Sequence, residues 1–254
     1  MCLIVFSYNC HQTYPFILAG NRDEFYQRPT KQAHFWDTEP EILAGRDLKA
    51  GGTWLGMTKE GRIGVLTNYR HFHSQPGGQK SRGELIPTFL KSSLDPKNVL
   101  ADIISRGHQY DGFNMIAGTS TKLNYISNVH NSLEEIPPGI HGISNGFLNT
   151  SWPKVDVAKE KYRSATSGAD IDEEAIFSFL KNKETYPQES LPDTGLSPEK
   201  EKAVSPIFIE LKNYGTRCST LITVDKNGLV SFVEKSYHKN CESETERRFQ
   251  FKLR

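Results

Sequence analysis

The sequence predicts an α+β fold in which antiparallel sheets are covered by helices, and three observations support this prediction. Segments with strand character and segments with helical character come in groups along the chain instead of alternating. Such grouping favours sheets built from hairpins over a βαβ architecture. A strong turn signal, Asn227-Gly228, separates two β-prone segments. No G-x-G-x-x-G follows a predicted strand and no P-loop is present, so the usual signatures of nucleotide-binding α/β folds are missing.

Composition is that of one packed domain. The 254 residues are 36% hydrophobic and 11% aromatic, which suffices for a core and argues against disorder. We expect a single domain over residues 1–240 and a loose polar tail over residues 241–254. The four cysteines contain no C-x-x-C pair, so we expect reduced thiols and no metal site.

Charge balance and hydropathy limit the partners that the sequence predicts. Lys and Arg total 31, Asp and Glu total 30, and the net charge of +1 gives no reason to expect nucleic acid or an anionic membrane as partner. No run reaches the roughly 18 apolar residues that span a bilayer, and the apolar start lacks a basic leader. We therefore expect a cytoplasmic protein, without stable membrane insertion, that binds a small-molecule ligand or substrate. The oligomeric state stays open.

The first half of the chain predicts two hairpins and then two helices. Residues 2–8 and 14–19 are β-prone and flank a short polar stretch, which is typical of a hairpin. Residues 51–57, with a close backbone approach at their glycines, and residues 63–68 predict a second hairpin. Apolar residues at helical spacing predict two helices, around 85–90 and 99–104. Asp95 before Pro96 is a suitable N-cap for the second.

The second half predicts strands, then helices, then a last hairpin. The strands are 113–118 and 123–127, the helices are 155–163 and 172–180, and the hairpin joins 219–224 to 229–233. Residues 184–205 contain three prolines and many charges, and we expect them to form an exposed excursion.

Cys2 is the first candidate for chemistry. Removal of Met1 would leave one residue with both a thiol and a free α-amine, whose ordinary pKa values are about 8.5 and about 7.7–8. The amine can then serve as general base for the thiol of the same residue. A small buried residue at the start of a strand is the alternative interpretation.

A charged run, Asn21-Arg22-Asp23-Glu24, ends the strand that is predicted to pair with the Cys2 strand. In a hairpin these groups come near Cys2, where a guanidinium favours the thiolate and a carboxylate can orient the α-ammonium. A solvated charged turn is the alternative interpretation. The position of the run between two apolar strands favours a functional site.

Motifs along nearly the whole chain, in order, resemble the NRDE family, which includes the transport and Golgi organisation proteins. They are Met1-Cys2-Leu3-Ile4, the run from Asn21 to Pro29, the run from Gly51 to Gly56, Thr67-Asn68-Tyr69-Arg70, Ser81-Arg82-Gly83, Ser144-Asn145-Gly146, Trp152-Pro153-Lys154 and Tyr214-Gly215-Thr216-Arg217. That family is similar in turn to the N-terminal-nucleophile (Ntn) cysteine hydrolases, the group of bile-salt hydrolase and penicillin acylase. The resemblance implies a four-layer αββα sandwich, with two antiparallel sheets between helical layers.

The resemblance also implies catalytic roles. Cys2 would be the nucleophile, Arg22 would set its electrostatics and Asp23 would hold the α-amine. Two further positions, Asn68 and Asn145, match asparagines that shape an oxyanion hole or position the substrate. Arg217 would belong to the catalytic set. Four further residues would contact the substrate: Asn21, Glu24, Trp54 and Arg70. In the hydrolases a short gap separates the arginine from the aspartate, whereas here they are adjacent, so either Asp23 or Glu24 could be the carboxylate.

Two functions are compatible with these residues. The first is hydrolysis of a small amide C–N bond by acyl transfer to Cys2, without a cofactor. The second, which the resemblance implies, is binding and trafficking of haem, lipid or acyl-CoA in the same pocket without catalysis. His71 and His73 could then ligate haem, although the spacing supplies no third ligand. A scaffold with a vestigial pocket is the third interpretation.

Overall fold

Two antiparallel β-sheets form the centre of the molecule in the computed structural model, which describes residues 2–70, 78–237 and 244–254. The strands are β1 (Cys2–Tyr8), β2 (Phe16–Phe25), β3 (Thr30–Phe35), β4 (Ile42–Asp47), β5 (Leu55–Thr58), β6 (Arg62–Asn68), β7 (Phe113–Thr119), β8 (Lys122–Ser127), β9 (Ser132–Glu135), β10 (Gly139–Ile143), β11 (Tyr214–Val224), β12 (Leu229–Tyr237) and β13 (Glu244–Lys252). One sheet has the order β10-β1-β2-β11-β12-β13, and the other runs from β3 to β9 in sequence order.

Helices cover the outer face of each sheet. They are α1 (Leu85–Lys91), α2 (Pro96–Ser105), α3 (Pro153–Ala165), α4 (Glu173–Leu180) and α5 (Pro198–Ala203), with short 3₁₀ turns at Arg82–Glu84, Gly107–Gln109 and Gln188–Ser190. Apolar residues of α1 and α2 pack on the seven-stranded sheet, and those of α3 and α4 pack on the six-stranded sheet. A third apolar cluster takes residues from both sheets and lies between them. The predicted αββα sandwich is therefore confirmed.

Alternation along the strands sorts the side chains between these layers. In β1, Ile4 and Phe6 belong to the cluster between the sheets, while Leu3 and Val5 pack under the helices. The same rule places Arg22 of β2 on the inter-sheet face, where its guanidinium contacts Trp54. This alternation decides which residues of the charged run can lie beside the Cys2 side chain.

Several local predictions agree with the structure. The first hairpin joins β1 to β2, and the last joins β11 to β12 through Gly228, whose φ of +76° favours glycine. The side chain of Asp95 accepts a hydrogen bond from the Lys97 N–H and caps α2. The close approach expected at the glycines also occurs, because a Cβ on Gly52 would lie 2.1 Å from the Gly83 carbonyl oxygen.

Three expectations about segments need correction. Residues 244–252 are not a loose tail but form β13, which pairs with all of β12. Residues 184–205 are mostly exposed, as expected, but they include α5 and the buried side chains of Thr194 and Glu201, which hold this stretch against the domain. Residues 51–54 are irregular and only Leu55–Thr58 is a strand. The Thr53 N–H donates to the carbonyl oxygen of Gly83 in the 3₁₀ turn and not to a neighbouring strand.

No helix in the described part of the chain has both the length and the apolar character to cross a membrane.

Candidate active site

Cys2 and Cys218 lie on either side of Arg22 in the six-stranded sheet. The register pairs Cys2 of β1 with Arg22 of β2, and Arg22 with Cys218 of β11. Adjacent strands are about 4.8 Å apart, so Arg22 is the nearest cross-strand neighbour of Cys2 in the sheet. The hairpin that the sequence predicts thus brings the guanidinium of the charged run to the candidate nucleophile.

The Cys2 thiol is buried and uncharged in its resting state. Burial raises the pKa of this thiol, the Asp23 carboxylate raises it further, and the nearby Arg22 opposes both. The backbone N–H of Asp23 also acts to lower the pKa of the thiol. The Ser144 hydroxyl donates to the Cys2 carbonyl oxygen at 3.0 Å, which ties the start of β1 to the end of β10. For the sulphur to attack as a thiolate, a nearby base must therefore accept the proton of the thiol.

Arg22 is held from several directions. Its guanidinium lies 4.3 Å from the centre of the Trp54 ring, and it donates to the Thr30 hydroxyl at 3.3 Å. Its Nη2 is 3.6 Å from Asp47 Oδ2 and 3.9 Å from Glu24 Oε2. Only 6% of the side chain is exposed, so these contacts fix the charge in a desolvated position.

Asp47 contacts the guanidinium groups of both Arg22 and Arg28. Its Oδ2 accepts from Arg28 Nε at 2.6 Å, and its Oδ1 accepts the N–H groups of Lys49 and Ala50. Burial alone would raise the pKa of Asp47, but the Arg28 and backbone donors outweigh it and hold the pKa below its ordinary value. Asp47 therefore stays charged and orients both Arg22 and Arg28.

The two candidate carboxylates occupy different environments. Asp23 is 3% exposed, and its Oδ1 accepts a hydrogen bond from the Thr216 hydroxyl at 2.7 Å. Burial raises the pKa of Asp23, while Lys154, Thr216 and Arg22 act in the opposite direction. The Glu24 carboxylate is more exposed and accepts from the Phe25 N–H. Of the two, Asp23 is the buried group beside the Cys2 backbone.

Asn68 and Asn145 meet next to the start of β1. Asn145 Nδ2 donates to the Asn68 carbonyl oxygen at 2.8 Å, and the Arg70 N–H donates to the Asn145 carbonyl oxygen at 2.8 Å. Asn145 follows Ser144, which contacts the Cys2 backbone, so the end of β6 and the end of β10 converge on Cys2. The guanidinium of Arg70 lies 5.3 Å from the Trp152 ring centre and bonds Glu201 at 3.0 Å.

Two residues of the expected site point elsewhere. Asn21 donates to the carbonyl oxygens of Leu180 and Ile207 and accepts from the Ser219 hydroxyl, so its side chain lies under the helices, away from the inter-sheet face. This placement does not favour the substrate contact expected of Asn21. Arg217 sits at a β-bulge, and its Nη1 donates to the carbonyl oxygens of Phe25 and Arg28, which stabilises the turn after β2.

Sequence reasoning missed a buried charged group behind Asp23. Lys154, in the first turn of α3, is 5% exposed and its Nζ donates to the Val204 carbonyl oxygen at 2.7 Å. Burial lowers its pKa to about 8, with Asp23 as the main opposing charge. A signal was available, because a lysine in the first turn of a helix opposes the helix dipole and calls for a nearby anion.

A small cleft opens beside these charges. Its lining includes Arg70, Lys154, Glu201 and the aromatic residues Trp152 and Tyr186, and it encloses about 230 Å³ including the solvent at its mouth. Glu201 is buried and accepts hydrogen bonds from the N–H and hydroxyl of Thr194. The predicted haem ligands His71 and His73 lie outside the described residues.

The two antiparallel sheets between helical layers have the architecture of the Ntn-hydrolase fold. A solved structure, the Caenorhabditis elegans N-acylethanolamine-hydrolyzing acid amidase (NAAA) ortholog, matches with a TM-score of 0.50 and 11% sequence identity over 87% of this chain and 92% of that chain. The likeness supports the shared fold.

The chain belongs to the Transport and Golgi organisation 2 family, whose model matches residues 1–239. The mouse Transport and Golgi organization 2 homolog is 36% identical over 257 residues, and the human Transport and Golgi organization protein 2 homolog is 36% identical over 262 residues. Each alignment covers 93% of both chains. The resemblance read from the sequence motifs is therefore confirmed.

Proposed function

We propose that this protein hydrolyses a small amide by acyl transfer to Cys2. The observation that carries the proposal is the register of β1, β2 and β11, which pairs Cys2 with the fixed, desolvated charge of Arg22. Asp23, the next residue after Arg22 on β2, is buried, and its backbone N–H acts to lower the pKa of the Cys2 thiol. The Ntn-type fold is consistent with this arrangement but does not by itself imply the activity.

The proposed reaction begins at the thiol of a chain from which Met1 has been removed. The sulphur attacks the amide carbonyl carbon and forms an S–C bond while the thiol proton passes to the α-amine of Cys2. Because burial favours the uncharged thiol, this base is required in the same step. Asp23 would hold the resulting α-ammonium in place.

Collapse of the intermediate breaks the C–N bond. The α-ammonium returns its proton to the leaving amine, and the acyl group stays on Cys2 as a thioester. Water then attacks the thioester carbonyl carbon and gives a proton to the α-amine. The C–S bond breaks, the carboxylic acid leaves, and the α-ammonium returns the proton to the Cys2 sulphur, which regenerates the thiol. Donors near Asn68 and Asn145 would stabilise the oxyanion, where loss of one donor costs about 10²–10³ in rate.

Acylation by an electrophilic probe tests this proposal. Purified protein is treated with an activated acyl ester, and the adduct is mapped by peptide mass spectrometry. The expected result is one adduct at Cys2, absent in Cys2→Ala and retained in Cys218→Ala. Labelling confined to Cys218 or Cys241, or equal turnover by wild type and Cys2→Ala, would show that Cys2 is not the nucleophile.

A carrier that binds haem, lipid or acyl-CoA without chemistry is the competing proposal for the same pocket. Titration with haem distinguishes the two, because a carrier gives a saturable shift of the Soret band in wild type and in Cys2→Ser alike. Without a saturable shift, the haem carrier is excluded. For either activity we propose a cytosolic location, which cell fractionation would check.

A further inference from the structure

Asn114 joins the two sheets next to the candidate site. It lies on β7 and is 1% exposed. Its Nδ2 donates to the Gly146 carbonyl oxygen at 2.9 Å and to the Thr67 hydroxyl at 3.3 Å. Thr67 is on β6 of the same sheet, whereas Gly146 lies just after β10 of the other sheet. One buried amide therefore connects the strand ends that carry Asn68 and Asn145.

The orientation of the Asn114 amide is fixed by what its neighbours can donate and accept. The Gly146 carbonyl oxygen can only accept, so it must face Nδ2, while the Tyr125 hydroxyl donates to Oδ1 at 2.7 Å. Tyr125, on β8, is itself 4% exposed. Any other orientation of the amide would leave buried polar groups without partners, so this arrangement is rigid.

The segment 144–146 is held at all three of its residues, each by a different strand. The first residue contacts the Cys2 carbonyl oxygen of β1, the second contacts the Asn68 carbonyl oxygen of β6, and the third contacts the Asn114 side chain of β7. Misplacement of a reacting or stabilising group by 1 Å can cost about 10² in rate. The contact from β7 therefore matters for any oxyanion hole that this segment helps to form.

We propose that Asn114 is a positioning residue that sets the place of Asn145 relative to Asn68, the two residues expected to stabilise the oxyanion. For its consequence in catalysis this role rests on the proposed function, whereas the hold on Gly146 is a separate property. Because Asn114 is buried, it acts through the backbone of Gly146 and does not touch the substrate.

The test compares two reactions of the Cys2 thiol in the full chain. Attack on an activated acyl ester develops an oxyanion, whereas alkylation by iodoacetamide forms an S–C bond at a saturated carbon as iodide leaves and develops none. In Asn114→Leu, which has a similar size but none of the hydrogen bonds, the maximal acylation rate should fall about ten- to a hundredfold. The half-saturating ester concentration and the alkylation rate should stay at their wild-type values. Asn114→Ala replaces this variant if the leucine variant does not fold.

Asn124→Leu is the matched control. Asn124 is also 1% exposed and lies on β8 of the same sheet. Leu123 and Tyr125 on either side of it face the other sheet, so alternation turns the Asn124 side chain towards the helices. Both reactions should keep their wild-type rates in this control. An equal fall of acylation and alkylation in Asn114→Leu would overturn the proposal, because the change would then lie in the thiol or in the fold as a whole.

Hydrogen exchange of the Arg70 N–H, followed by NMR, measures the hold on the segment without any chemistry. This N–H donates to the Asn145 carbonyl oxygen, so it should exchange about three- to tenfold faster in Asn114→Leu than in wild type or Asn124→Leu. Unchanged exchange would overturn the positioning role whatever the reaction rates. If wild-type Cys2 is not acylated at all, the proposed function fails, while the exchange rate still decides whether Asn114 holds Asn145 in place.

Discussion

At the scale of single residues, the site is organised around Arg22. Its position follows from the hairpin register, and this part of the site could be predicted from the sequence. The groups that fix its charge could not, because Asp47 and Thr30 come from other strands and no local pattern announces them. Lys154 differs, because its place in the first turn of α3 is a local signal, but the carboxylate whose charge acts on it, Asp23, is 131 positions earlier in the chain.

Asp47→Asn tests the role of the carboxylate that anchors Arg22 and Arg28. The variant removes an ionised acceptor of charge-assisted hydrogen bonds, so we expect the free energy of unfolding at pH 7 to fall by about 1–3 kcal/mol. Acylation of Cys2 should slow as well, because Arg22 loses its orientation. Urea denaturation and probe labelling measure the two effects, and Asp37→Asn, at an exposed aspartate, is the matched control.

The stability difference between wild type and Asp47→Asn should change with pH in a direction that the pKa of Asp47 determines. The folded-state pKa of Asp47 lies below its ordinary value of 3.8, so its contribution to stability is complete above that pH. The contribution is lost as the pH falls further through the folded-state pKa. The stability difference between wild type and Asp47→Asn should therefore shrink below about pH 4. A difference that grows on acidification would contradict this role.

At the scale of elements, hairpins and capped helices could be predicted and edge segments could not. Asn227-Gly228 and Asp95-Pro96 are local signals, and the turn and the helix cap lie where the sequence predicted them. β13 carries mostly exposed charged residues, so its composition is that of a tail, yet backbone pairing with β12 does not require apolar side chains. The segment 184–205 is mostly exposed, as its prolines and charges predict, and only the burial of Glu201 could not be predicted from this composition.

Gly52→Ala tests the contact between two motifs that are separate in the sequence. A Cβ on Gly52 would lie 2.1 Å from the Gly83 carbonyl oxygen and 2.3 Å from its carbon, and backbone atoms cannot move aside as a flexible side chain can. We expect a loss of about 2–4 kcal/mol in unfolding free energy, measured by urea denaturation. Gly83→Ala is the control, because its Cβ would meet only ordinary contacts at 3.5 Å or more. Equal stability of the two variants would contradict the account of this contact.

At the scale of the whole molecule, a buried carboxyl links the two sheets. Glu234 of β12 accepts a hydrogen bond at 2.8 Å from the N–H of Ala33, which lies in β3 of the other sheet. Burial raises the pKa of Glu234, while donors from Ala33, Cys218 and Ser236 oppose the rise. The protonated acid is thus the form that the interior favours.

Glu234→Gln should change how stability depends on pH. Because the folded-state pKa of Glu234 is raised above its ordinary 4.5, its stabilising contribution is present below that value and is lost as the pH rises through the folded-state pKa. Relative to wild type, the glutamine variant should therefore become more stable as the pH rises from 4 to 8. Thermal unfolding across this range measures the effect, with Glu246→Gln on exposed β13 as control. A constant difference between variant and wild type would exclude this linkage.

Cys2 can use its own α-amine as base only after Met1 has been removed. The intact mass of the protein purified from its native source shows directly whether Met1 is present. The mechanism predicts the mass of a chain that begins at Cys2, and Edman degradation or terminal-peptide sequencing should agree. A chain that retains Met1 in the native, folded protein has no free amine on Cys2 and would contradict the mechanism.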